Sequence, residues 1–116
     1  MNRNTEGTAA ERAAATFLQC HGLKLLETNY RCRFGEIDLI LMDGDTLVFA
    51  EVRLRKSDDF GGAAASITAQ KQGKLLKAAR HYLASRKKTP RCRFDAVLLS
   101  GMNEHDMQWI KNAFGE

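Results

Sequence analysis

The sequence predicts an α/β fold: a mixed β-sheet flanked by helices, in the order αβββαβ with one further element at the C-terminal end. Three observations predict it. An Ala-rich helical stretch opens the chain, short apolar segments separated by turn residues follow, and a long helical pattern closed by Pro90 leads into a second apolar run. With 116 residues, 44% of them hydrophobic and 28% charged, the chain has the composition of one globular domain spanning 1–116.

The elements follow in order. Thr8 to Cys20 reads as a helix, with Phe17 and Leu18 on its apolar stripe and Gly22 as its stop. Leu23 to Arg33 reads as a strand of uneven pattern ending at Phe34-Gly35. Glu36 to Met42 and Thr46 to Arg55 form a hairpin, with Asp43-Gly44-Asp45 supplying the turn. A loop containing Asp58, Asp59, Gly61 and Gly62 leads to the long helix, about Ser66 to Lys87. Phe94 to Leu99 reads as a buried strand, and Met107 to Phe114 as an edge strand or a short helix. Trp109 and Phe114 are read as core residues rather than as platforms for nucleobases.

No apolar stretch reaches the roughly 20 residues that cross a bilayer, and no signal peptide is evident, so a cytoplasmic protein away from membranes is expected. Cys20, Cys32 and Cys92 are odd in number and widely spaced, which suits reduced thiols. His21, His81 and His105 lack metal-ligand spacing, which argues against zinc.

The formal net charge of +4 is unevenly spread. Between Phe60 and Phe94 there is no acid, yet half of the 18 basic residues lie there: Lys71, Lys74, Lys77, Arg80, Arg86, Lys87, Lys88, Arg91 and Arg93. Phosphate would relieve their mutual repulsion. A solvated helix face balanced by acids elsewhere is the competing explanation.

Two acids stand where apolar residues are expected. Alternation places Glu36, Asp38 and Ile40 on one face of their strand, with Ile37, Leu39 and Leu41 on the other. In the partner strand Leu47, Phe49, Glu51, Arg53 and Arg55 share a face, and Val48, Ala50, Val52 and Leu54 take the opposite one. A Gly44-Asp45 loop sets Asp38 across from Glu51 and Glu36 across from Arg53. An Asp43-Gly44 loop sets Asp38 across from Phe49, with Glu51 diagonal. Both registers bring Asp38 and Glu51 together, where each raises the other's pKa unless a cation intervenes. Magnesium, which takes one or two carboxylates and completes its shell with water and phosphate, suits such a pair. Alternatively, Glu36 and Asp38 lie at a solvent-facing edge, salt-bridged by Arg53 and Arg55.

Two further residues sit on helix borders. Leu75, Leu76, Ala78, Ala79, Tyr82 and Leu83 form one arc of the long helix and Lys74, Lys77, Arg80 and His81 the opposite one, while Lys71 belongs to neither and projects at the edge of the apolar arc, next to Leu75 and Tyr82. Its ammonium can turn toward the sheet or out to water. Glu11 lies beside Ala14, Phe17 and Leu18, and it either looks toward the sheet or closes a capping box on Thr8.

The run Gly-x-x-Ala-Glu at Gly7 to Glu11, the stretch from Asn29 to Ile40, and Phe49-Ala50-Glu51-Val52-Arg53-Leu54-Arg55 together resemble the YraN family of uncharacterised bacterial proteins. The resemblance continues through Phe60-Gly61, Lys71-Gln72, Ala78-Ala79 and Arg93-Phe94-Asp95, over nearly the whole chain. That family resembles the restriction-endonuclease-like superfamily, which includes Holliday junction resolvases. What the resemblance implies is a metal-dependent nuclease: Asp38 and Glu51 would hold Mg2+ or Mn2+, the Val52 carbonyl would assist, and Glu11 would be a supporting acid. One position departs from the family pattern, because Arg53 stands where Glu-Val-Lys is expected. An arginine can orient water or stabilise charge on the phosphate, but it cannot act as a base, which leaves Lys71 as a substitute.

The function expected from these readings is a Mg-dependent endonuclease acting on nucleic acid, with branched DNA as a candidate substrate. Lys71, Lys74, Lys77, Arg80, Arg86, Lys87 and Lys88 would grip the backbone. A catalytically degenerate nucleic-acid-binding module and a protein adaptor are the alternatives. Symmetric resolvases of that superfamily act as dimers, so the resemblance also implies a possible homodimer.

Overall fold

Two tight turns set three strands side by side. The computed structural model describes residues 5–54, 67–86 and 88–114, with side chains described from residue 8. Helix α1 spans Thr5–Cys20, followed by β1 Lys24–Cys32, β2 Gly35–Asp43 and β3 Thr46–Leu54. Helix α2 is Ala69–Leu83, and β4 Arg91–Leu99, a short 3-10 turn Glu104–Asp106 and β5 Met107–Phe114 complete the chain. Gly44 takes φ +62° as the first residue of the two-residue loop between β2 and β3, a sign that a side chain there would resist.

The five strands lie in sequence order in one sheet. Every neighbouring pair is antiparallel except β3 and β4, which run parallel. A parallel pair needs a long crossover, and α2 lies within it. The α/β architecture with a mixed sheet is as expected, and the undecided last element is the edge strand β5.

Among the described residues, each face of the sheet carries one α-helix. On one side Ala10, Ala14, Ala15 and Leu18 of α1 pack on Leu39, Leu41, Val48, Ala50, Val52, Val97 and Leu99. On the other, Leu75, Ala78 and Ala79 of α2 pack on Ile37, Ile40, Leu47, Phe49, Ala96 and Leu98. The central strands β3 and β4 are therefore covered on both faces, which is why they read as near-continuous apolar runs. Small alanines on both helices let the backbones approach the sheet closely.

Several boundaries differ from expectation. Helix α1 begins a turn before Thr8, so Thr8 lies inside the helix and the capping box with Glu11 is excluded. Helix α2 stops at Leu83 rather than running to Lys87: the Ser85 hydroxyl and the Arg86 amide take the carbonyls of Tyr82 and Leu83. Strand β4 starts at Arg91, because its pairing with β3 runs back to Thr46. Ile37 packs with Ile40 rather than with Leu39 and Leu41, so strict alternation fails around Asp38. Arg55, the loop from Asp58 to Gly62, Ser66 and Lys87 lie outside the described residues. Cys20, Cys32 and Cys92 are free thiols. Among the described residues no helix is long and apolar enough to cross a membrane.

One polar knot holds the far end of the sheet. Asp95 is fully buried, and its carboxylate accepts from Arg93 Nε and Nη2, Trp109 Nε1 and the Asn112 amide, each at 2.9 Å. The β4–β5 register shifts between Phe94 and Ala96, and the Asp95 side chain takes the Asn112 N–H within that irregularity. Arg93 also reaches Asp43 Oδ2 at 3.0 Å, tying the end of β2 to β4. Trp109 is thus a core residue, packed against the α1-side cluster, and Phe114 stacks on Phe94.

Asp95→Ala would leave Arg93 half-buried without its bidentate partner. Urea denaturation should show a loss of about 3–5 kcal/mol for it. Trp109→Leu should lose its hydrogen bond to a charged group, at about 1.5–3 kcal/mol, together with part of the ring's packing. Asp95→Ala within experimental error of wild type would remove the knot from the account of the fold.

Candidate functional site

The hairpin register is the one in which Gly44-Asp45 forms the loop. Asp43 pairs with Thr46, and the ladder proceeds through Ile40–Phe49 to Leu39–Ala50, where it ends. Beyond that point Asp38 and Glu51 are not ladder partners. Instead the Val52 amide donates to Asp38 Oδ2 at 2.9 Å, so a side chain takes the place of the backbone acceptor. β2 separates from β3 where the two acids lie, and this separation also accounts for the lost alternation at Ile37.

The two carboxyl groups meet in this opening. Glu51 is buried, at 8% exposure, and Asp38 is half-buried. Burial, and next the nearby Glu51 carboxylate, push Asp38 up to about 8. Glu11 pushes in the same direction, and the Val52 amide opposes it. Glu51 is also raised by burial, but Arg53, a hydrogen bond from Asp38, and Lys71 pull it back. At neutral pH the pair therefore holds a proton, carried on Asp38 and shared toward Glu51.

A cavity of about 470 Å3 opens over the pair, lined by Glu11, Glu36, Asp38, Glu51, Val52 and Arg53 among others. Glu11 comes from α1, with its Oε1 buried and without a hydrogen-bond partner. It looks toward the sheet. Arg53 Nη2 lies 2.8 Å from Glu51 Oε2, while its Nε is buried and unpaired. Glu36 is exposed and bridges to Arg31 at 3.4 Å, so the expected edge pairing of Glu36 with Arg53 is not formed.

A smaller cleft on the α2 side, about 150 Å3, is lined by Glu51, Arg53, Lys71 and Lys74 with Gly35, Glu36 and Leu75. Thr68 caps α2 by accepting from the Lys71 amide at 3.2 Å, which places Lys71 in the first turn beside this cleft. Its side chain is exposed, yet near enough to Glu51 to favour the carboxylate. Glu51 therefore borders both openings.

The remaining cations divide. Lys74 and Lys77 are exposed on α2, and Lys88 is exposed beyond it. Arg80 lines a separate hollow with Pro90, Arg93 and Phe94. Arg86 is folded over Tyr82, donating to its hydroxyl at 3.1 Å. Arg93 serves the buried knot instead of a phosphate grip. Lys87 lies outside the described residues. Among the described residues of the basic segment, Lys71 and Lys74 line an opening shared with Glu51. Glu36 borders both openings, a placement that nothing in its sequence neighbours reveals.

The donor set consists of oxygens, which suits a hard cation rather than zinc. Among the described residues no three His, Cys, Asp or Glu side chains converge as a ready metal cage. A pair of carboxylates with a more remote third acid is the arrangement present, and magnesium commonly needs no more from a protein.

A mixed sheet with a partly buried acidic pair at the mouth of a splayed hairpin, flanked by a basic helix, defines an α/β protein with a carboxylate-lined cavity. More particularly, the chain belongs to the uncharacterised protein family UPF0102, the YraN family of the resemblance, whose model matches residues 10–99. A UPF0102 protein of Nitrosomonas europaea is 62% identical over 111 residues, covering 96% of this chain and 94% of the relative. One from Nitrosospira multiformis is 58% identical over 114 residues, covering 98% and 96%. One from Psychromonas ingrahamii is 51% identical over 113 residues, covering 97% and 92%. The matched range includes Glu11, Asp38, Glu51, Arg53 and Lys71 and excludes β5.

The shared proton makes stability depend on pH. The folded protein keeps a proton on Asp38 up to about pH 8, whereas the unfolded chain releases it near the ordinary carboxylate value. This contribution is complete in acid below that ordinary value, declines as pH rises, and is lost above about pH 8. Urea melts of the metal-free protein should therefore show falling stability between pH 5 and pH 9, a range taken roughly from these two limits. Asp38→Asn should flatten the slope. A wild-type profile that is flat or rises over this range would contradict the buried pair.

Proposed function

We propose that this chain is a divalent-metal-dependent endonuclease of restriction-endonuclease-like type, hydrolysing phosphodiester bonds in nucleic acid, with branched DNA as the first substrate to test. The observation that carries the proposal is the Asp38–Glu51 pair, two carboxyl groups that line one partly buried opening where β2 parts from β3. Asp38 and Glu51 would hold Mg2+ or Mn2+, with Glu11 and the Val52 carbonyl in support. Bound there, the cation supplies charge neutralisation at the phosphate and an activated water.

The chain's own residues do the rest. Asp38 would have to give up its proton to hold a cation, so binding would strengthen with rising pH. Arg53 lines both openings, and its guanidinium is suited to donate to a phosphate oxygen, where charge accumulates during cleavage. Lys71 and Lys74 border the cleft and attract the phosphate backbone. Arg53 cannot take a proton, so any proton transfer at this position falls to water or to Lys71.

A nucleic-acid-binding module without cleavage is the second reading. It is favoured by the 2.8 Å pairing of Arg53 with Glu51, which already neutralises a carboxylate that a cation would need.

Incubation with flapped and four-way DNA in magnesium or manganese should give cleavage that Asp38→Asn and Glu51→Gln reduce to the chelated background. Arg53→Lys should raise the rate if the pocket is better served by lysine. Absence of cleavage in both metals overturns the nuclease reading. Retention of nucleic acid that is indifferent to chelator and to Asp38→Asn then supports the module. Lys71→Ala and Lys74→Ala should each lower the slope of log affinity against log salt by about 0.7–0.9.

A further inference from the structure

The turn between β1 and β2 is made of residues that turn chemistry does not call for. Cys32 pairs with Gly35, so Arg33 and Phe34 are the two central residues of the loop, positions that Asn, Asp and Gly usually fill. The core does not call for the phenylalanine either. Every other described aromatic ring belongs to one of the two core clusters or packs against it, and Phe34 does neither.

What Phe34 does touch is informative. The Arg33 guanidinium lies over its ring, 4.9 Å from the centroid, and the His81 ring meets it edge-on at 5.9 Å. Arg33 is exposed and Phe34 half-buried. The next residue, Gly35, lines the α2-side cleft with Glu51, Lys71 and Lys74. The turn therefore adjoins the carboxylate site on its basic side. The nearby acid Glu36 is engaged by Arg31, and no acid occupies the first turn of α2.

We propose that Arg33 and Phe34 form a stacking platform for the bases of single-stranded nucleic acid. If the nuclease reading holds, the substrate class of the neighbouring site is one with unpaired nucleotides beside the phosphate to be cut. Planar guanidinium and phenyl groups both stack on nucleobases, whose faces are open in a single strand and hidden in a duplex. A duplex offers this surface only its phosphates, which Lys74 and Lys77 can meet. Sequence tolerance follows, because every base presents a π face.

Fluorescence anisotropy in chelator, with a labelled single strand and a duplex of equal length, tests the platform without requiring cleavage. Phe34→Ala should weaken single-strand binding by about 5- to 150-fold, the range of one base–aromatic stack, and change duplex binding by less than about twofold. Phe34→Trp should retain single-strand binding. Phe34→Leu keeps the apolar bulk without the π plane, and it should reproduce the selective loss with an unchanged melting temperature. Equal losses on both ligands, no loss on either, or a wild-type protein that binds neither would overturn the platform. Selective loss in a protein that cleaves nothing would leave the platform standing and overturn the nuclease reading alone.

Discussion

The separation of β2 from β3 beyond Leu39 and Ala50 is the constraint on which the site depends. If the ladder continued, Asp38 and Glu51 would be ordinary facing residues and their carboxyls would lie on one sheet face. Because it stops, Asp38 bonds the Val52 amide and turns into an opening that α1 also borders. The cost of burying two acids is offset by the hydrogen bond between them and by Arg53. Such a pair is poor material for stability alone, since a hydrophobic pair would serve the core better. Its presence between two well-packed apolar clusters is the strongest reason to treat it as functional.

Much of this was legible in the sequence, and the failures have physical causes. The strong turn chemistry of Asp43-Gly44-Asp45 gave the hairpin, and β-branched and apolar density gave the central strands. The meeting of Asp38 and Glu51 followed from alternation, but the exact contact did not. Alternation assumes a continuous ladder, and a side chain accepting a backbone hydrogen bond breaks that assumption. Glu11 was ambiguous because Thr8-Ala9-Ala10-Glu11 satisfies capping chemistry equally well in sequence. Only the earlier start of α1 decides it.

The basic segment shows the limit of reading charge along a chain. Nine cations in a row without an acid suggested one surface, yet the fold distributes them. Arg93 turns inward because its partners, Asp43 and Asp95, come from β2 and from its own strand. Arg86 spends its guanidinium on Tyr82. Lys71 and Lys74 remain beside the carboxylates because helical geometry places residues three apart on one face. The Arg33-Phe34 turn was visible as a pair of letters but carried no periodic signal, and only its exclusion from both cores makes it stand out.

Strand β2 is held very differently at its two ends. At Asp43 it is clasped by Arg93 and thereby fastened to β4, while at Asp38 it has already parted from its neighbour. Its other end is carried by β1 instead, through Ile37, Glu36 and Gly35. From Gly35 to Ile37 β2 thus keeps one ladder where farther along it has two, so the spacing of the two acids is set by the Asp38–Val52 hydrogen bond and not by a backbone ladder.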